Sequence, residues 1–324
     1  MSSVLSIVLV TLPFFALVLC GYIAVQRRLL PLEAIPGLNS FVLFFALPCM
    51  LFRFGSGTPL AQLLDASVFF TYLLCALLMV GFTVMFSLNQ RIGWNDAAFG
   101  ALVAAFPNTG FMGVPLLVAL LGPAASGPAI VTIMADLLIT NSLCIALSRL
   151  DGAQQQGART AAIQALKGVV SNPMPWAILL GTLFSALDLR LPTALAQTVS
   201  LLADAASPVA LFTIGAVLAR SRLLSASGAP RDLRYGDFLP IVAFKLLLHP
   251  LLVFLVGALA IRLGVPLTYS ALTVIVLVAA LPSASNVTML SERFGADTAR
   301  VGNIILVSTA LAFLSFSLVV KLLR

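Results

Sequence analysis

The residues best placed to do chemistry in this chain are polar and helix-breaking groups set inside apolar stretches. In 101–117, ALVAAFPNTGFMGVPLL, an apolar segment of spanning length is interrupted at Pro107, Asn108, Thr109 and Gly110, and again at Gly113 and Pro115. Proline removes an amide donor and clashes with the carbonyl one turn back, while glycine weakens the helix on both sides, so the segment breaks in mid-course. Backbone groups freed by a break in lipid are tolerated only where protein buries them or a wet cavity takes them, and such a cavity suits a small polar solute. A second interruption, Leu281-Pro282-Ser283-Ala284-Ser285-Asn286, repeats the pattern. A restarted half-helix presents unpaired amides and the positive end of its dipole, which together favour a carboxylate. Asn108, Thr109, Ser283, Ser285 and Asn286 either hydrogen-bond that solute without adding fixed charge or cap the half-helices. The competing reading is a plain proline kink with no ligand.

Ionisable residues inside apolar segments form the second group, because placing one at the bilayer centre costs roughly 2.5–3.5 kcal/mol on insertion scales. Asp136 lies near the middle of its segment, and Thr132, Asp136 and Thr140 fall on one helical face at i, i+4 and i+8. Asp136 either exchanges a proton or anchors broken backbone through hydrogen bonds. Lys245 and His249 share a face one turn apart. Lys245 either snorkels to the interface, attracts an anion or neutralises Asp136, and His249 is either a packed polar residue or a proton relay. Asp204 reads as a contact between helices.

The elements that must position these groups follow from composition. With 61% hydrophobic and 9% charged residues, the chain is an all-α polytopic membrane protein. Its net charge of +7 comes without a basic run or aromatic–basic interleaving, which excludes nucleic acid as a partner and leaves the lipid bilayer. Cys20, Cys49, Cys75 and Cys144 sit singly in apolar segments with no histidine cluster, so no metal or other cofactor is implied. Neither a metalloprotease motif nor a phosphate-binding loop is present, which argues against an enzyme. At about 20 apolar residues per crossing, ten stretches qualify: 4–25, 36–54, 67–89, 96–121, 126–148, 169–188, 196–219, 238–261, 268–291 and 301–322. The first has full spanning length and no preceding basic residue, which favours a retained helix over a cleaved leader. Inner links hold twelve basic residues, including Arg27, Arg28, Arg91, Arg149 and Arg300, against five on the outer side, if both termini are non-cytoplasmic.

The polar linker 150–168 divides the segments into a first repeat, 1–149, and a second, 169–324. The halves share a pattern: Ala46, Pro48, Leu51, Phe52 and Gly55 match Ala206, Pro208, Leu211, Phe212 and Gly215, and Ala104-Ala105-Phe106-Pro107 is echoed by Ala279-Ala280-Leu281-Pro282. An odd number of spans per repeat makes the two copies inverted in topology, a plan suited to alternating access.

Asn108-Thr-Gly-Phe-Met-Gly-Val-Pro-Leu116 resembles the fourth-helix signature of the auxin efflux carrier family, which includes plant PIN carriers and many bacterial permeases. Ser207-Pro-Val-Ala-Leu-Phe-Thr-Ile-Gly215, Lys245 with His249-Pro250, and Leu281-Pro-Ser-Ala-Ser-Asn286 are similar to its later motifs. The resemblance implies ten helices in two inverted five-helix repeats, with broken helices 4 and 9 crossing at the substrate site. Pro107, Asn108, Thr109, Gly110, Pro282, Ser283, Ser285 and Asn286 would line that site, and Asp136, Lys245 and His249 would serve ion or proton coupling. It further implies a scaffold of segments 1, 2, 6 and 7 that forms a homodimer, a moving domain of segments 3–5 and 8–10, and elevator-like transport in the plasma membrane. Small organic anions are the expected cargo: auxin-like acids, or carboxylates such as malonate or malate. The chain lacks the long central loop of the long plant carriers, and Phe106-Pro-Asn-Thr-Gly110 departs from their Asn-Pro-Asn-Thr-Tyr. The rival expectations are a sodium-coupled bile-acid-type symporter, which shares the inverted plan, and a non-transporting membrane sensor.

Overall fold

A computed structural model describes residues 2–58, 64–150, 173–227 and 235–323. Most of the 150–168 linker, with Arg159 and Lys167, lies outside the described residues, as do Arg231 and Arg234 of the 220–237 link. The described chain is helical: α1 Ser2–Gln26, α2 Ala34–Gly57, α3 Ala66–Ser87, α4 Trp94–Ala105, α5 Thr109–Leu121, α6 Pro123–Ser148, α7 Pro173–Ala186, α8 Thr193–Ser227, α9 Tyr235–Arg262, α10 Tyr269–Ala279, α11 Val287–Arg293 and α12 Thr298–Leu323. Among the described residues six of these, α2, α3, α6, α8, α9 and α12, are long and apolar enough to cross a membrane. The segment read at 96–121 is two rods, α4 and α5, and the segment read at 268–291 is likewise two, α10 and α11.

Four helices contain one widened π-turn, at Val42–Ala46, Thr109–Gly113, Asp136–Thr140 and Phe244–Leu248. Three of them end two residues before a proline, at Pro48, Pro115 and Pro250. A proline clashes with the carbonyl four residues back, here Phe44, Phe111 and Leu246, the middle residue of each π-turn, and widening the turn moves that carbonyl aside. The hydroxyl of Ser207 donates to the Phe111 carbonyl at 3.3 Å, replacing the bond Pro115 cannot make. Pro13 and Pro208 lie in helices without such a turn, so proline permits the widening without requiring it. The fourth π-turn has no proline behind it, and it starts at Asp136.

The helices group into two compact units. The first comprises Met1–Asp65, Thr109–Val131 and Asn172–Gly228. Within it α1 packs on α8 and α2 on α7, each pair at backbone distance. A Cβ at Gly21 would fall on the Phe212 carbonyl, and one at Gly215 on the carbonyl of Val18. In the other pair a Cβ at Gly181 would crowd the Phe52 carbonyl, and one at Gly55 that of Ile178. Small residues at these positions let helices approach closely where lipid supplies no hydrophobic drive. The contacts correspond residue by residue, since Val18 and Ile178, Gly21 and Gly181, Phe52 and Phe212, and Gly55 and Gly215 are each 160 positions apart.

The second unit comprises Ala66–Asn108, Thr132–Ser171 and Ala229–Arg324. Its core forms where α3 packs on α4 and α9, and where α12 meets α9 and α4. Arg300, counted in the sequence as a charge of an inner link, is only 3% exposed and ties four helices together. Its Nε donates to the Asp237 carbonyl at 2.8 Å, Nη1 to the Asp96 carbonyl at 2.8 Å, and Nη2 to the Ser87 hydroxyl at 3.5 Å. Gly100 leaves the room, since a Cβ there would lie 3.0 Å from the guanidinium.

Candidate functional site

The proline break at Pro107-Asn108 and the one at Leu281–Asn286 both lie in the second unit and meet there as extended chain. After Ala105 the backbone turns extended at Phe106 (φ −97°, ψ 101°), because Pro107 cannot donate and disfavours helical geometry in the residue before it. Pro107 and Ser283 pair as an antiparallel bridge. The amide of Asn108 donates to the Pro282 carbonyl at 2.9 Å, and that of Ala284 to the Phe106 carbonyl at 3.0 Å. Two helix-breaking prolines 175 positions apart are thus held within one two-rung ladder.

Every freed backbone group needs a partner at such a crossing. The carbonyl of Val103, whose helical partner would be the missing amide of Pro107, accepts instead from the Ser283 hydroxyl at 2.6 Å. The Ser283 amide donates to Ser308 Oγ on α12 at 3.3 Å. The carbonyl of Ala279, the last residue of α10, whose helical partner would be that Ser283 amide, accepts instead from Lys245 Nζ at 3.1 Å. An ammonium at the C-terminal end of a helix also meets the negative pole of its dipole.

Lys245 therefore does not snorkel. It is fully buried, as are Asp136, His249, Tyr72 and Thr140. Its Nζ also contacts His249 Nδ1 at 3.1 Å. Asp136 accepts from the Tyr72 hydroxyl through Oδ2 at 2.9 Å and from Thr140 through Oδ1 at 3.1 Å. The Tyr72 and His249 rings lie 6.0 Å apart by centroids, which links the acidic and basic pairs into one buried cluster. Among the described residues Lys245 and Asp136 make no direct ion pair. Of the two roles expected for Asp136, proton exchange or backbone anchoring, the described bonds bear only on the second: Asp136 bonds the side chains of Tyr72 and Thr140, and a freed carbonyl, that of Ala279, is taken by Lys245.

The remaining residues of the sequence-derived site are distributed as follows. Asn108 is 4% exposed, and Ser283 is buried with its one hydroxyl proton committed to Val103. Ser285 and Asn286 are partly exposed, Asn286 precedes α11 without a side-chain capping bond, and its Oδ1 has no hydrogen-bond partner among the described residues. Thr109 and Gly110 open α5 and belong to the first unit, where Thr109 is buried and Gly110 faces Leu47. The sequence reading did not single out Tyr72, Ser308 or Arg300. The available signal for Tyr72 was a hydroxyl set among Phe69, Phe70, Leu73 and Leu74.

Several long apolar helices, two of their companions broken within the span and stitched through backbone, define a polytopic helical membrane protein built to hold polar groups in its interior. The chain belongs to the Membrane transport protein family, which matches residues 6–320, and the resemblance to auxin efflux carriers stands on that match. Among curated proteins it is 28% identical over 316 residues to a Rhizobium meliloti protein named "Putative malonate transporter", covering 97% of this chain and 94% of that one. It is also 28% identical over 307 residues to the Escherichia coli "Uncharacterized transporter YfdV", covering 93% and 92%. An "Uncharacterized transporter" of Methanothermobacter thermautotrophicus is 28% identical over 312 residues, 95% of each chain. The protein is a membrane transporter and not an enzyme.

Proposed function

We propose that this transporter is a secondary carrier of small organic anions, with carboxylates of the malonate and malate type as its leading substrates, working by elevator-type alternating access in the plasma membrane. The observation that carries the reading is the crossing of Pro107 and Pro282, a stretch of non-helical backbone inside an otherwise apolar fold. Such backbone is tolerated at membrane depth only where it is buried in protein or lines a wet cavity, and transporters place substrate sites at breaks of this kind. Asn108, Ser285 and Asn286 are the side chains free to hydrogen-bond a carboxylate there, with Pro107, Thr109, Gly110, Pro282 and Ser283 shaping the backbone around it. The relative named for malonate makes a dicarboxylate the first substrate to try.

The finer architecture belongs to the same proposal: ten crossings in two inverted five-helix repeats, 1–149 and 169–324, with both termini non-cytoplasmic. The correspondence of contacts at Val18, Gly21, Phe52 and Gly55 with those 160 positions later supports it, because a repeat reproduces its packing as well as its sequence. Segments 1, 2, 6 and 7 are assigned to a homodimeric scaffold and segments 3–5 and 8–10 to the moving part. Grouping by contacts agrees with this assignment except that Thr109–Val131 falls with the first unit. Asp136, Lys245 and His249 are assigned to coupling. A potential of 100 mV is worth about 2.3 kcal/mol per charge, or roughly fifty-fold in concentration, so export of a monovalent anion needs no coupled ion whereas uptake of a dianion does.

The test is uptake of labelled malonate, malate and an auxin-like acid into liposomes holding the purified protein, under imposed potential, proton and sodium gradients. Wild type is expected to move one of the dicarboxylates and to ignore sodium; Asn108→Ala is expected to lose substrate binding while melting at an unchanged temperature. Transport that persists undiminished in Asn108→Ala removes the site assignment, and a strict sodium requirement transfers the protein to the bile-acid-type plan.

A further inference from the structure

A second place in the molecule has the features of a binding site, and it lies wholly within the first unit. Where α2 ends at Gly57 and α5 gives way to α6, a cavity of about 360 Å³ opens between Arg53, Gly57, Thr58, Pro123, Ala124 and Ser126, among others. That volume is in the range of pockets that take small organic molecules. Gly57 and Ala124 line it with little side chain, and a Cβ at Gly57 would meet nothing within 4 Å.

Polar groups converge on it unevenly. The Ser126 hydroxyl donates to the Pro123 carbonyl at 2.7 Å, so its contact of 3.2 Å with Thr58 Oγ1 uses the Thr58 proton. The Thr58 carbonyl is held by the Ser185 hydroxyl at 3.1 Å. These groups fix the wall and leave no donor spare. Arg53 is different. Its Nη1 donates to Asp204 Oδ1 at 2.6 Å, and among the described residues this is the guanidinium's one hydrogen bond. The edge formed by Nε and Nη2, the fork that matches two oxygens of a carboxylate or phosphate side by side, has no partner among the described residues. Asp204 is 67% exposed and Arg53 38%, so water screens the pair and the carboxylate holds Arg53 in place without neutralising its open edge.

We infer that this cavity is a site for one oxyanion group, bound bidentately through Nε and Nη2 of Arg53, with Asp204 as the built-in competitor for the same cation. A soluble carboxylate and the phosphate of an anionic phospholipid present the same chemistry to that fork. The inference is independent of the crossing at Pro107 and Pro282, and Asn108→Ala leaves this site intact.

Two arms separate the sources of the ligand. In the first, radiolabelled malonate and inorganic phosphate are titrated against the purified full chain in neutral detergent. In the second, the chain is reconstituted in phosphatidylcholine nanodiscs with and without phosphatidylglycerol, and retained lipids are counted by native mass spectrometry. Three variants are compared with wild type. Arg53→Gln weakens binding about tenfold, the loss of a charge-assisted bidentate contact. Gly57→Leu fills the cavity and removes binding while keeping the guanidinium. Asp204→Asn tightens binding a few-fold by withdrawing the competing charge. A response to malonate or phosphate assigns a soluble ligand, and one confined to phosphatidylglycerol assigns a lipid headgroup. The opposite signs of Arg53→Gln and Asp204→Asn are the decisive feature, because a purely structural ion pair responds alike to loss of either partner. Equal shifts in those two variants, or binding of all three probes indifferent to Arg53→Gln and Gly57→Leu, overturn the inference.

Discussion

The two proline breaks are near twins in sequence and differ in how their freed backbone is satisfied. At the first, the carbonyl orphaned by Pro107 takes a neutral hydroxyl from Ser283, itself a residue of the opposite break. At the second, the carbonyl of Ala279 takes the ammonium of Lys245, which reaches in from α9 and shares its buried surroundings with His249, Tyr72 and Asp136. A neutral hydroxyl bond responds weakly to charge nearby, whereas a bond from an ionisable amine in a dry interior strengthens or weakens markedly with the charges around it. The first break is therefore a fixed brace. The second is one whose geometry can answer to a change in a buried ionisable group, and it is where coupling of transport to another ion would enter.

Substitutions that remove one side of this contrast sharpen it. The largest effect is expected from Lys245→Met, which keeps the approximate shape of the side chain and removes the partner of both the Ala279 carbonyl and the His249 ring. A loss of about 3–5 kcal/mol, read as a lowered melting temperature in detergent together with lost transport, fits the breaking of a buried charged contact. Melting within a degree or two of wild type would show the second break to be as neutral as the first. Asp136→Asn comes next. It retains an acceptor for Tyr72, so counterflow exchange of labelled substrate should survive, while the response to an imposed pH gradient disappears if the cluster carries the proton. Misfolding in that variant assigns Asp136 to structure alone.

Smaller effects are expected on the neutral side. Ser283→Ala leaves the Val103 carbonyl unpaired in the core and should cost about 1–3 kcal/mol, with no change in the pH response of whatever transport remains. Ser308→Ala removes the acceptor of the Ser283 amide, a longer bond, and should cost about 1 kcal/mol. If Ser283→Ala alters the pH profile and Lys245→Met does not, the contrast between the breaks is inverted.

Legibility in the sequence followed the range of the physics. The interruption at Pro107 and Pro282 was readable because a missing amide and a ring clash act within one turn. The crossing of the two breaks was readable only through the family resemblance, and its partners were not readable at all. Ser283 looked like a donor for solute, yet its proton is committed to Val103 because α4 ends beside it. Lys245 looked able to reach the interface, yet it lies in the π-turn ahead of Pro250, fully buried, with its amine on the Ala279 carbonyl. Arg300 passed for an inner-link charge while it holds α3, α4, α9 and α12 together.

Composition, spacing and local backbone chemistry by themselves determined that this chain is a multi-pass helical membrane protein, that two of its segments cannot run unbroken, and that a few costly charges lie within its other apolar segments. These are properties of single residues and their nearest neighbours in a solvent that cannot hydrogen-bond. Which partner each freed carbonyl finds, which serine is a brace and which asparagine keeps an open oxygen, and that one break is tied to charge while the other is not, were decided by tertiary structure. Those outcomes depend on groups tens to hundreds of residues apart arriving within 3 Å or so of each other, and a dry interior imposes that distance only once the helices have packed.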